Sequence, residues 1–121
     1  MSSSVLICDD SNMARKQVLR SLPDALKDNV QLATNGLEAL EILRNQPIDL
    51  LFLDLTMPEL DGVGVLQALK DDAIACKVFV ISADIQPEMQ SKVLELGAKA
   101  FLRKPVKTET LLENLQSHGI I

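Results

Sequence analysis

Five short apolar runs punctuate the chain: VLIC at 5–8, VQLA at 30–33, LLFL at 50–53, KVFVIS at 77–82 and AFL at 100–102. They are rich in β-branched and large aliphatic residues, and their spacing and length predict five strands. After each comes a segment whose apolar residues recur at three-and-four spacing with charges on the opposite face: MARKQVLRSL, GLEALEIL, GVGVLQALKD, PEMQSKVLEL and TETLLENLQS. That periodicity predicts five helices. Pro87 suits a first helical turn, Gly97 a left-handed helix end, and Thr108 an N-cap with Glu109 and Glu113 beyond it. Strands that are apolar throughout, rather than alternating, fit a parallel sheet covered on both faces, and strict strand–helix alternation builds such a sheet through right-handed crossovers. The expected architecture is an α/β three-layer sandwich, a five-stranded parallel sheet with five helices.

The totals narrow the class without changing that picture. With 121 residues, 47% hydrophobic and 24% charged, the chain is globular in composition. It suffices for one domain, 1–121, that buries roughly two thirds of its unfolded surface. No apolar run approaches the ~18 residues of a membrane span, and MSSSVLICDD has no basic region ahead of its apolar run. A soluble, cytoplasmic protein without membrane insertion is expected. No linker interrupts the pattern and the sequence stops after the fifth helix, so the expectation is a single domain with no room for an attached effector domain. Cys8 and Cys76 lack metal-ligand spacing and read as packing thiols. The lone His118 reads as an exposed helix-end residue without chemistry.

Net charge is −5, which argues against direct binding of nucleic acid. The charge is uneven: residues 92–121 hold five bases against three acids, residues 1–91 seven against fourteen. Such asymmetry marks a candidate partner face.

In an open parallel sheet, ligands bind beyond the C-terminal ends of the strands. The first strand ends in Asp9 and Asp10, the third in Asp54 and the fourth in Ser82; Lys104 and Pro105 follow the fifth. Three carboxylates on one edge raise at least one pKa unless a cation is shared among them. Mg2+ suits one or two carboxylates plus phosphate oxygens, whereas a calcium cage needs more oxygens than this cluster supplies. Phosphoryl chemistry follows, with Lys104 and Ser82 as the donors that stabilise a phosphoryl group arriving at Asp54.

The stretches CDDS at 8–11, NGLEAL at 35–40, LDLTMPELDG at 53–62, ISA at 81–83 and GAKAFLRKP at 97–105 resemble the receiver domain of bacterial two-component response regulators. The resemblance covers essentially the whole chain. It implies the flavodoxin-like (CheY-like) strand order 2-1-3-4-5. It makes Asp54 the nucleophile that accepts a phosphoryl group from a phosphohistidine on a sensor histidine kinase. Asp10 would ligate Mg2+ directly and Asp9 mostly through water, with Asp54 and the backbone carbonyl of Thr56 completing the set. Lys104 would pair with the phosphoryl oxygens, Ser82 with Ala83 beside it would form the phosphoryl-binding switch, and Phe101 would occupy the aromatic switch position, without a tyrosine's hydroxyl. Pro105 would shape the turn after Lys104, while Thr56 and Asp84 would tune access of water. Such a domain is not an enzyme beyond its own phosphorylation and dephosphorylation. Its output is a downstream protein partner on the face of helix 4, strand 5 and helix 5. A phosphate sink, a relay receiver and a receiver cut from a longer regulator are the alternatives in the family. An aspartate-nucleophile phosphohydrolase is the alternative outside it, but its second carboxylate two residues on is Thr56 here. A flavin- or nucleotide-binding module would need a Gly-rich phosphate loop where Asp9 and Asp10 stand.

Overall fold

The computed structural model describes residues 3–121. Strands β1 (Val5–Cys8), β2 (Val30–Ala33), β3 (Leu50–Leu53), β4 (Lys77–Ser82) and β5 (Ala100–Arg103) alternate with helices α1 (Asn12–Ser21), α2 (Gly36–Asn45), α3 (Gly62–Asp71), α4 (Pro87–Glu95) and α5 (Thr108–Ser117). All pairings are parallel, in the order β2-β1-β3-β4-β5. The strand periodicity of two divides the core. Val5, Ile7, Leu50, Phe52, Phe79, Ile81 and Leu102 pack under α1 and α5, and Leu6, Cys8, Leu51, Leu53, Val78 and Val80 under α2, α3 and α4. The three-layer sandwich expected from the pattern is the one found.

Burial on both faces holds for β1 and β3, and for β4 after Lys77, but not for the edges. Leu32 of β2 is 49% exposed, and β5 is half-buried at Ala100 and Phe101. An edge strand lacks a neighbour on one side, and helices of nine or ten residues do not reach over both edges.

Ser11, Asn35 and Asp61 cap α1, α2 and α3 by accepting backbone N–H groups at 3.2, 2.9 and 2.8 Å. Pro87 opens α4, and Gly97 takes φ +109° beyond its end, where the Ala98 N–H reaches back to Val93 O at 3.0 Å. Thr108 is not the N-cap of α5. Lys107 holds that position without a side-chain bond, and Thr108 is the first helical residue. The cause is packing: Val106 and Leu111 flank the first turn and are both drawn into the α1/α5 cluster, a staple that starts the helix one residue early. A 3-10 turn at Asp24–Leu26, absent from the periodicity, follows Pro23 and drops Leu26 into the same cluster. No helix among the described residues is long and apolar enough to cross a membrane.

His118 is not exposed. It ends α5 half-buried, its Nδ1 2.8 Å from Asn114 O and its ring edge-on to Phe79 at 5.3 Å between centroids. Phe79 also meets Phe52 edge-on at 6.0 Å and has no solvent exposure. Phe79→Ala would empty the centre of the α1/α5 core, and chemical denaturation should show a loss of about 3–5 kcal/mol.

Candidate functional site at the C-terminal edge of the sheet

The parallel ladder runs one residue past each strand and delivers the polar side chains. Asp9 N–H donates to Ala33 O at 3.1 Å, Asp54 N–H to Cys8 O at 3.0 Å, and Lys104 N–H to Ser82 O at 2.9 Å. Asp9, Asp54 and Lys104 are thereby fixed at the same edge. One carboxylate oxygen from each of Asp9, Asp10 and Asp54 lies within 4.8 Å of the others. Asp9 and Asp54 are buried and Asp10 is exposed. The Lys104 ammonium bridges the two buried acids, 2.8 Å from Asp9 Oδ2 and 3.2 Å from Asp54 Oδ1.

The electrostatics follow from three carboxylates facing one ammonium. Burial pushes the Asp54 carboxyl above its ordinary range and the charge of Asp9 adds to the push; Lys104 opposes both. The expected rise in a carboxyl pKa is present, with desolvation rather than mutual repulsion as its first cause. Burial alone would lower the Lys104 ammonium, but its hydrogen bond to Asp9 and the field of Asp54 outweigh that and leave its pKa raised. Lys104 is a firm cation there.

The donor set fits a small hard divalent cation. Asp9 Oδ1 is held by the Ser11 N–H at 2.9 Å, so the acid is oriented without being used up. Every side chain of the cluster offers oxygen. Cys8 does not join it: burial, then the charges of Asp9 and Asp54, push its thiol up to about 12, and its Sγ lies 3.4 Å from both Asn35 O and Met57 Sδ. Cys76 is half-buried, with its thiol also at about 12.

The remaining expected residues lie on the strand ends and the connections after them, except Phe101, which lies within β5. Ser82 is buried, and its Oγ accepts the Asp84 N–H at 3.0 Å. Ala83, Thr56 and Pro105 are exposed. The Lys104–Pro105 peptide is cis. Phe101 is half-buried on β5 against the α2/α3/α4 cluster. An open cleft of about 410 Å3 leads away from Lys104 between α1 and the β5–α5 connection, walled by Met13, Ala14, Ala83 and Pro105.

Two contacts that shape the site escape sequence reasoning, although Pro58 and Gly62 read as the turn into the third helix. Gly62 opens α3 directly against the backbone of Asp54 and Leu55: its N–H donates to Leu55 O at 3.0 Å, and a Cβ there would run into Asp54 O and Leu55 Cα. Arg15 of α1 reaches back and donates to the Asp9 backbone carbonyl at 2.6 Å. Its signal was available, because a long side chain in a first helical turn points toward the helix N-terminus.

Residues 5–116 match the family model of the response regulator receiver domain. The chain is 32% identical to the chemotaxis protein CheY of Bacillus subtilis (strain 168), over 93% of this chain and 94% of that one. It is 43% identical to a protein-glutamate methylesterase/protein-glutamine glutaminase of Myxococcus xanthus (strain DK1622), over 90% of this chain but only 32% of that protein. Among solved structures, a chain of the CheX–CheY–BeF3–Mg2+ complex from Borrelia burgdorferi superposes with a TM-score of 0.89 at 30% identity, over 98% of this chain and 90% of that one. The strand order, the acidic edge with its lysine and these likenesses converge: the chain belongs to the family of response regulator receiver domains.

Proposed function

We propose that this receiver is a phosphorylation-dependent signalling switch that takes a phosphoryl group on Asp54 from a sensor histidine kinase, with Mg2+ held by Asp9, Asp10, Asp54 and the Thr56 carbonyl. The observation that carries the reading is the convergence of three carboxylates within 4.8 Å under a single lysine that contacts two of them. Asp54 supplies the nucleophilic oxygen: its bond to phosphorus forms as the phosphohistidine P–N bond breaks, and the electron pair returns to the imidazole. Mg2+, when held there, would supply charge neutralisation for the phosphoryl oxygens. Lys104 holds a third side of the group and Ser82 a fourth, once its hydroxyl turns from the Asp84 N–H toward the phosphate. The exposed methyl of Ala83 leaves the approach open, and the cleft beside α1, with Met13 76% exposed at its rim, receives the phosphodonor protein.

Output follows from differential stability. Phosphate adds charge and acceptor oxygens, so the arrangement in which Ser82 and Lys104 both close on Asp54 gains over the one in which they do not. Ser82 leaves space as it turns, and Phe101, half-buried on the neighbouring strand, moves into it. The face formed by α4, β5 and α5 carries exposed Lys92, Lys99, Arg103 and Lys107, and it is there that a downstream protein distinguishes the two states.

Intact-mass analysis tests the chemistry. Incubation with acetyl phosphate and Mg2+ should add one phosphoryl group per chain, and excess chelator should prevent it. An adduct formed equally well in chelator overturns the mechanism, and continuous turnover of small phosphate esters would favour the phosphohydrolase. Uptake needs the Asp54 carboxylate ionised. Because its pKa is raised, uptake without saturating Mg2+ should fail at a higher pH than for an ordinary carboxylate, and Mg2+ should move that limit down.

A further inference from the structure

Arg15 is the fourth residue of α1, and its guanidinium spans the turn that carries the first two acids. Nη1 donates to Asp9 O at 2.6 Å and Nη2 to Asn12 Oδ1 at 3.3 Å, while Nε is buried without a partner, the only such side-chain polar atom among the described residues. Burying an unmatched donor is unfavourable, and a methionine would fill the same stem space without it. The compensation is the grip on one carbonyl. That carbonyl belongs to the peptide joining Asp9 to Asp10, whose plane sets the direction of both side chains. Asp9 has other restraints, through the Ala33 carbonyl, the Ser11 N–H and Lys104. The Asp10 carboxylate is exposed and makes no hydrogen bond or ion pair among the described residues, yet it points within 4.8 Å of the other two acids.

We propose that Arg15 is a positioning residue for the divalent-cation site, holding the Asp9–Asp10 peptide so that the Asp10 carboxylate stays turned toward Asp54. This rests on the Mg2+ reading of the acidic cluster. The positioning role and a purely electrostatic one differ in sign. A guanidinium acting only as a nearby positive charge would weaken Mg2+ binding, so its removal would tighten it. A guanidinium acting as a clamp strengthens binding, so its removal loosens it. Groups that orient metal ligands from behind are worth about ten- to a hundredfold in affinity.

Calorimetric titration of the full chain with MgCl2 reads this directly, alongside the rate of acetyl phosphate labelling as a function of Mg2+. Arg15→Met should raise the Mg2+ dissociation constant about tenfold, and the half-saturating Mg2+ for labelling should rise by more than the maximal rate falls. Arg15→Lys keeps the charge and stem but loses the fork, and should still weaken Mg2+ severalfold; it decides the matter if Arg15→Met does not fold. An unchanged or smaller dissociation constant in the folded variant overturns the clamp. Asp10→Asn is the control: if it binds Mg2+ as wild type does, or wild type shows no saturable binding, the metal reading itself fails and the clamp falls with it.

Discussion

Asp54→Asn should take up no phosphoryl group from acetyl phosphate and Mg2+, its intact mass unchanged where the wild type gains one. The same substitution should make the Mg2+-free protein more stable at neutral pH. Asp54 is 5% exposed, and its folded-state pKa is raised by burial and by Asp9. A carboxyl raised in this way favours folding while it is protonated, and that advantage is lost as pH rises through its folded pKa, so the ionised form strains the native state at pH 7. Asparagine keeps the shape without the charge and leaves Asp9 paired with Lys104. The gain should be about 1–2 kcal/mol in denaturant titrations. It should shrink toward acid pH, where Asp54 in the wild type is protonated both folded and unfolded. Mg2+ should reverse the order: at a hundredfold excess over its dissociation constant it stabilises the wild type by about 2.7 kcal/mol, and it should do less for a site with one anion fewer. An Asp54→Asn protein that is still labelled would move the nucleophile elsewhere.

Lys104→Ala should have the opposite effect on stability. It removes the one ammonium that contacts both buried acids and leaves Asp9 and Asp54 facing each other. Breaking a buried pair from one side costs about 3–5 kcal/mol. With Lys104 24% exposed, about 2–3 kcal/mol is expected at pH 7 without Mg2+. The deficit should narrow as pH falls, because the unopposed Asp54 is driven further up and protonates, and Mg2+ should restore much of the loss by replacing the missing charge. Labelling should nevertheless remain slow at saturating Mg2+, since a phosphoryl oxygen loses its cationic partner. A deficit independent of both pH and Mg2+ would show that Lys104 acts by packing its stem alone.

Most of the fold is legible from periodicity because its core is simple. Central strands buried on two faces leave runs such as LLFL that admit one reading, and Gly97 and Pro87 mark α4 with residues whose backbone preferences are strong. What periodicity misses depends on contacts distant in sequence. Thr108 has the chemistry of a cap, but Val106 and Leu111 compete for the first turn and win through burial. His118 looks terminal and solvated, yet a helix end laid over Phe79 covers it. The site divides along the same line. Asp9, Asp54, Ser82 and Lys104 were legible because a parallel ladder brings every strand end to one edge, whereas the service of Arg15 to a carbonyl and of Gly62 to a backbone atom is written in no charge pattern.

Gly62 also sets a rule for anyone who would rebuild this molecule. Helix α3 rests its first residue on the peptide of Asp54, so the helix and the end of β3 are one mechanical part. A replacement α3, whether grafted from a relative or drawn from a library, must bring a residue without a side chain at that junction. Otherwise the graft lifts the helix or tilts the carboxylate. Swaps elsewhere along α3 can be screened for folding alone; at position 62 folding and chemistry have to be screened together.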